Sequence, residues 1–211
     1  MAKLYFRFGA MNSGKSTALL QAAYNYEERG QHVLLAKPRI DTKGAGQISS
    51  RLGMTRAVDF LIGGSDDARG LFAENQARVR HTHDELSGLS TGPADVACLL
   101  VDEAQFLTAS QVDDLFRIAV LDDTPVLAYG IRTDFRTAAF PGSRRLLEVA
   151  HALEELKTIC RCGRKALFNG RLVDGVFVFD GDQVAIDGQE VTYESLCGEC
   201  YLRESAGLLG A

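Results

Sequence analysis

Three groups of residues carry chemistry by their type and spacing. Near the start, Gly9-Ala10-Met11-Asn12-Ser13-Gly14-Lys15-Ser16 reads G-x-x-x-x-G-K-S, the Walker A spacing of a phosphate-binding loop. Its glycines let successive backbone N–H groups turn inward to phosphate oxygens. Lys15 adds a point charge near the β- and γ-phosphates, and the Ser16 hydroxyl can ligate Mg²⁺. A helix after the loop would set its positive end behind the phosphates. In mid-chain the apolar run Val96–Val101 ends in Asp102-Glu103, the Walker B arrangement. Asp102 at the carboxyl end of such a strand can hold Mg²⁺, usually through water, opposite Ser16. Glu103, one residue on, points elsewhere and is placed to take a proton from an attacking hydroxyl or to orient water. Late in the chain stand Cys160 and Cys162, then Cys197 and Cys200. Two close pairs separated by a hairpin-length insert match a zinc ribbon, although the first pair is C-x-C rather than C-x₂-C. Four thiolates close a tetrahedral structural site with no open position, so no catalytic role is assigned to it. The competing reading is four free thiols.

The elements that must position these groups are legible around them. Leu4–Phe8 reads as a buried strand feeding the loop. Thr17 to Ala23 are good helix formers, and the helix runs to about Arg29, with Gly30 as its left-handed stop. Val33–Ala36 reads as a second buried strand ending at Lys37-Pro38. From Arg39 to Gly64 the glycines and hydroxyls fit a mobile hairpin or loop. Its Asp41, Lys43 and Arg51 are either solvated or folded over a nucleotide. Ser65–Leu89 reads as a helix capped by Ser65, with His81 and His83 as surface residues and not ligands, since positions two apart do not share a helical face. Ser90–Pro93 is a turn. Thr108 caps a helix to about Val120, Pro125–Tyr129 is a strand, and Ser143 opens a helix with Leu146, Leu147, Val149, Ala150 and Leu153 inside. Phe135 and Phe140 lie in the intervening loop, where they are either tucked into the core or lining a pocket; locally, tucked in is the better reading. Cys98, inside its strand, is an apolar filler. β-like patterning follows over Ala166–Val173, Val176–Phe179 and Val184–Ile186.

Whole-chain properties narrow the class. The chain has 211 residues and a formal net charge of −5, with a pI of about 5.4. No basic stripe is visible, so nucleic acid is not an expected partner. No apolar run reaches the roughly 18 residues a membrane span needs. Lys3 and Arg7 interrupt the opening apolar run, so no secretion signal is read and the expected compartment is the cytoplasm. The five cysteines in such a chain read as metal ligands before disulfides.

The motifs together resemble one family, the thymidine kinases of the cellular tetrameric (type II) kind, bacterial members included. The residues that carry the resemblance are GAMNSGKST (9–17), VDEAQFL (101–107), YGIRTDFR (129–136), KTICRCGRKA (157–166) and VTYESLCGECY (191–201). They run from end to end of the chain in the family's order. The resemblance implies a P-loop α/β domain over residues 1–154, with a parallel sheet flanked by helices, and a zinc-binding lasso domain over 155–211. It implies transfer of the ATP γ-phosphate to the 5′-hydroxyl of thymidine, in nucleotide salvage for DNA synthesis, with deoxyuridine as a conceivable second substrate.

By position, Glu103 matches the family's catalytic base. Gly9 through Ser16 with Asp102, Glu103, Ala104 and Gln105 match its ATP and Mg²⁺ site. Met11, Phe106, Ile131, Phe135 and Phe140 fall where relatives pack around thymine, which reverses the local reading of the two loop phenylalanines. Tyr193 and the backbone from Ile186 to Gly188 match the segment that wraps the base. Cys160, Cys162, Cys197 and Cys200 match the structural zinc ligands. Lys43 stands where relatives often carry arginine, and lysine cannot make arginine's planar two-point contact. A homotetramer and feedback by dTTP are also implied. The competing reading is a P-loop ATPase whose ribbon grips nucleic acid; the acidic net charge stands against it.

Overall fold

The structure is a computed structural model that describes residues 1–39, 46–86, 95–183 and 191–209, with 82–86 described by backbone alone. The expected turn at Ser90–Pro93 and the expectations on Asp41, Lys43 and Ile186 to Gly188 lie outside these residues.

In chain order the elements are β1 (Leu4–Phe8), α1 (Lys15–Glu27), β2 (His32–Pro38), β3 (Gln47–Ser49), β4 (Thr55–Ala57), β5 (Phe60–Ile62), α2 (Ala68–Leu86), β6 (Val96–Val101), α3 (Ala109–Leu121), β7 (Val126–Gly130), α4 (Pro141–Val149) and β8 (Ala152–Glu155). Then come β9 (Thr158–Ile159), β10 (Lys165–Ala166), β11 (Phe168–Val173), β12 (Val176–Val178), β13 (Val191–Leu196) and α5 (Gly198–Glu204). A one-turn 3₁₀ helix, Ala104–Phe106, follows β6.

Six strands form one parallel sheet in the order β5-β2-β6-β7-β1-β8. Strands buried on both faces need near-continuous apolar runs, which β6 supplies as VACLLV. On one face Leu99 and Val101 pack with Phe72 of α2, Val112 and Leu115 of α3 and Leu146 of α4. On the other, Cys98 and Leu100 pack with Leu19, Leu20 and Ala23 of α1 and with Ile48 of the β3–β4 hairpin. The strand order places β6 beside β7, and β7 beside β1. The phosphate loop after β1 and the acids after β6 therefore open at the same edge of the sheet, where ligands bind in open α/β folds.

Several local readings need correction. The 39–64 stretch holds the β3–β4 hairpin, but also β5, which joins the main sheet beside β2. Three residues, Phe60-Leu61-Ile62, are too few to show a period. β2 does end at Pro38, as read, but Lys37 and Pro38 still pair with β5, and the next N–H, of Arg39, donates to the Ile62 carbonyl at 2.7 Å. Helix α2 is capped by Asp67, not Ser65: Asp67 Oδ1 accepts from the N–H groups of Arg69 and Gly70 at 3.1 and 3.0 Å. Helix α4 starts at Pro141, whose missing N–H costs nothing in a first turn. Leu153 is not inside that helix; it lies on β8 and is 50% exposed.

The C-terminal part is small. β9 and β10 form a two-stranded hairpin, and β12-β11-β13 an antiparallel sheet, with α5 packed beside it. Its buried cluster is Cys160, Ala166, Leu196, Cys197, Cys200 and Tyr201.

Candidate active site

The phosphate loop is curled by backbone conformations and close approach. Gly14, the N-cap of α1, has φ +78° and Asn12 has φ +66°. A Cβ on Gly9 would lie 2.5 Å from the Leu156 carbonyl oxygen and closer still to Ser13, so only glycine fits. Lys15 Nζ folds across the loop, donating to the Ala10 carbonyl at 2.9 Å and to Ser13 Oγ at 3.4 Å. Burial lowers the Lys15 pKa, against the opposing pull of Glu103 and Asp102.

Asp102 is buried at the end of β6 and accepts from Ser16 Oγ at 3.3 Å. Burial first, and the Glu103 charge second, push its carboxyl up to about 6. Hard oxygen donors on two facing elements suit Mg²⁺, which keeps several waters and takes phosphate oxygens for the rest of its shell. Glu103 has φ +52°, a left-handed backbone that costs about 1 kcal/mol for a non-glycine residue. The turn sends the two carboxylates apart. Glu103 lines a cleft with Met11, Lys15, Ser16, Ile131 and Tyr193. Its Oε2 accepts from Gln105 Nε2 at 2.5 Å, and Gln105 Oε1 accepts from the Ile131 N–H at 3.3 Å. Gln105 is thus a buried brace between the acid turn and the next loop. A Cβ on Gly130 would come within 2.6 Å of its Oε1. Ala104 is buried in the sheet core.

The base-side residues divide. Ile131 lines the cleft though only 6% exposed, and Phe135 and Phe140 are 1% and 4% exposed. Phe140 meets Phe106 edge to face at 5.3 Å. The Arg171 guanidinium stacks on Phe135, 3.7 Å from the ring centroid, and its Nε donates to Tyr193 Oη at 3.3 Å. Tyr201 Oη donates to the Phe135 carbonyl at 2.7 Å. Arg51, on the hairpin, lines the same cleft as Lys15 and adds to the lowering of its pKa. Sequence reasoning missed Asn169, Arg171 and Ser195 as neighbours of this site. Ser195 stands inside the VTYESLCGECY block, but nothing local marks Asn169.

The four paired cysteines converge, all Sγ atoms lying within 4.8 Å of one another. Cys162 and Cys197 are 3.5 Å apart, sulfur to sulfur. Tetrahedral zinc with ~2.3 Å bonds sets thiolates ~3.8 Å apart, so the donor set fits. Cys197 caps α5, and the Cys200 N–H that it accepts draws its pKa down to about 7, toward thiolate. Cys98 is buried elsewhere, on β6.

A phosphate loop and an acid pair at one edge of a parallel sheet, with a four-cysteine module alongside, define a P-loop nucleotide-binding protein. The family model described as thymidine kinase matches residues 2–201. The chain belongs to the thymidine kinase family. It is 46% identical over 209 residues to a thymidine kinase of Legionella pneumophila (strain Paris), covering 98% of this chain and 92% of that one. A thymidine kinase of Rhodopirellula baltica is 46% identical over 200 residues, covering 93% and 86%. One of Idiomarina loihiensis is 46% identical over 211 residues, covering 99% and 100%.

Proposed function

We propose that this protein transfers the γ-phosphoryl group of ATP to the 5′-hydroxyl of thymidine. The observation that carries the reading is a single cleft. It presents Lys15 and Ser16 of the phosphate loop, the Glu103 carboxylate, and Met11, Ile131 and Tyr193 on the side where a base would lie. Phosphoryl transfer asks little covalent chemistry of the protein; it asks for alignment, charge compensation and a dry site. Loop amides and Lys15 bind the phosphates. Glu103, braced by Gln105, takes the proton of the 5′-hydroxyl. Mg²⁺, held by Ser16 and through water by Asp102, would neutralise phosphate charge when bound. Tyr193 lies against the base. Cys160, Cys162, Cys197 and Cys200 hold a structural zinc in a C-terminal domain over 155–211, beside a nucleotide-binding domain over 1–154. A homotetramer, dTTP feedback, a cytoplasmic location and a place in nucleotide salvage belong to the same reading; the location rests on the opening residues and the other three on family resemblance.

The test is ADP release from Mg·ATP with and without thymidine, with dTMP assayed directly. Thymidine-dependent ADP release with dTMP formed is the expected result. A rate indifferent to thymidine but stimulated by single-stranded DNA would favour the nucleic-acid ATPase instead. The acidic net charge already argues against that alternative.

A further inference from the structure

Met11 belongs to the phosphate loop, yet both of its backbone hydrogen-bonding groups leave the loop. Its N–H donates to Asn169 Oδ1 at 2.7 Å, and its carbonyl accepts from Ser195 Oγ. Asn169 and Ser195 are register partners across the β11–β13 pair. They are 3% and 6% exposed, so on their side these bonds are largely shielded from water. The other end of the Asn169 carboxamide, Nδ2, donates to the Thr133 carbonyl at 3.0 Å. Thr133 lies in the loop that carries Ile131, Phe135 and Phe140.

One planar amide on the C-terminal module therefore spans the phosphate loop on one side and the base-side loop on the other. Its two ends cannot move independently. A displacement of a few tenths of an ångström at Thr133 must be followed at Met11 or break one of the carboxamide's part-buried bonds, and a buried side-chain amide left unpaired is penalised. A ligand that selects the bonded arrangement of one loop then favours it in the other. We infer that Asn169, with Ser195, is a positioning residue that couples the nucleotide and nucleoside subsites, so that thymidine tightens the binding of ATP and ATP that of thymidine. Reciprocity of the two effects is a thermodynamic necessity. The inference rests on the proposed placement of ATP at the loop and thymidine on the base side.

Calorimetry tests it. The Kd of Mg·β,γ-imido-ATP is measured with and without saturating thymidine, in the wild type and in Asn169→Ala, Asn169→Asp and Ser195→Ala. The wild type is expected to bind at least about fivefold tighter with thymidine present, the lower end of usual couplings. In Asn169→Ala the ratio should fall to within about twofold of one. Asn169→Asp keeps the acceptor for Met11 but sets an oxygen against the Thr133 carbonyl, and it should lose the coupling too. Ser195→Ala leaves the carboxamide intact and should lower the ratio in part; it carries the test if Asn169→Ala does not fold. In turnover the two alanine variants should raise the KM for ATP without moving the pH profile of kcat, because neither the lost side chains nor alanine takes a proton. A wild-type ratio of one, or variant ratios equal to the wild type's, would overturn the coupling alone. A wild type that binds neither ligand would overturn the placement of the substrates and the coupling with it.

Discussion

Asp102 is an acid whose buried position costs the unliganded fold. Replacing it by asparagine should stabilise the Mg²⁺-free protein while removing activity. In the fold its carboxyl is pushed up from 3.8 to about 6, chiefly by burial and then by Glu103. A carboxyl with a raised folded pKa binds its proton more tightly folded than unfolded. Folding stability therefore falls as pH rises from about 4 through about 6, and the full cost is present above that window. Two units correspond to about 3 kcal/mol at pH 7.5 and about 1.5 kcal/mol at pH 5. Asparagine has the same shape, carries no charge, and can still accept from Ser16. For a chain of this size, Asp102→Asn should raise the melting temperature by roughly 6–12 °C at pH 7.5. The gain at pH 5 should be about half of that. Thermal unfolding in Mg²⁺-free buffer at the two pH values is the assay. No gain at pH 7.5, or an equal gain at both, would refute the argument that an uncompensated buried carboxylate is present. The same variant should show no measurable dTMP formation, which separates stability from function at one residue.

Three further outcomes are expected. Glu103→Gln keeps an acceptor for Gln105 Nε2 and so the shape of the turn, but it cannot take a proton. Its kcat should fall at least ~100-fold while Mg·β,γ-imido-ATP binds as before; turnover within a few-fold of the parent would remove Glu103 from that role. Zinc assayed on the purified protein should approach one ion per chain, and its removal should unfold the C-terminal module, seen in near-UV circular dichroism. Thymidine affinity should be lost, and ATP affinity should drop as well because Met11 is anchored there; unchanged ATP binding in zinc-free protein would contradict the anchoring. Gly142→Ala would set a Cβ 2.5, 2.7 and 2.9 Å from the carbonyl oxygens of Ala104, Leu107 and Gln105. Backbone cannot step aside as a side chain can, so about 1–3 kcal/mol should be lost. Gly64→Ala, with nothing within 4 Å of its Cβ, is the control, and equal melting temperatures for the two variants would contradict the packing argument.

Legibility followed the range of the interactions. The phosphate loop, the apolar β6 with its acid pair and the cysteine pairs are each written within a dozen neighbouring residues, so type and spacing disclose them. The Thr108 cap was legible for the same reason, though its reciprocal partner Gln111 was not read. β5 was lost because its three residues are ordered by pairing with β2, not by their own pattern. Gln105 sits in a recognised block, yet its role as a brace depends on Ile131 and on the space Gly130 leaves. Met11 and Asn169 are 158 residues apart, and no spacing rule reaches that far. The loop phenylalanines show the two kinds of reasoning in tension. Burial places Phe135 and Phe140 in the core, and resemblance places them around the base. Both hold if the rings form the floor beneath Ile131, itself on the cleft.

The small module has a use for a structural metal, which its four cysteines could hold, even though the proposed chemistry needs no zinc. Three of its six buried core residues are cysteines, and its sheets have two and three short strands. So few apolar side chains cannot offset the conformational entropy of ordering such a segment. A metal held by the four cysteines would supply what the core lacks, because metal binding is then folding free energy. Its position also matters. Cys197 lies immediately beyond β13, two residues after Ser195, and Ser195 and Asn169 face each other across β11 and β13. Fixing Cys197 fixes the end of β13, hence the register of the pair, hence the two side chains that grip Met11. Such an ion would never touch a phosphate, yet the phosphate loop would take part of its shape from it.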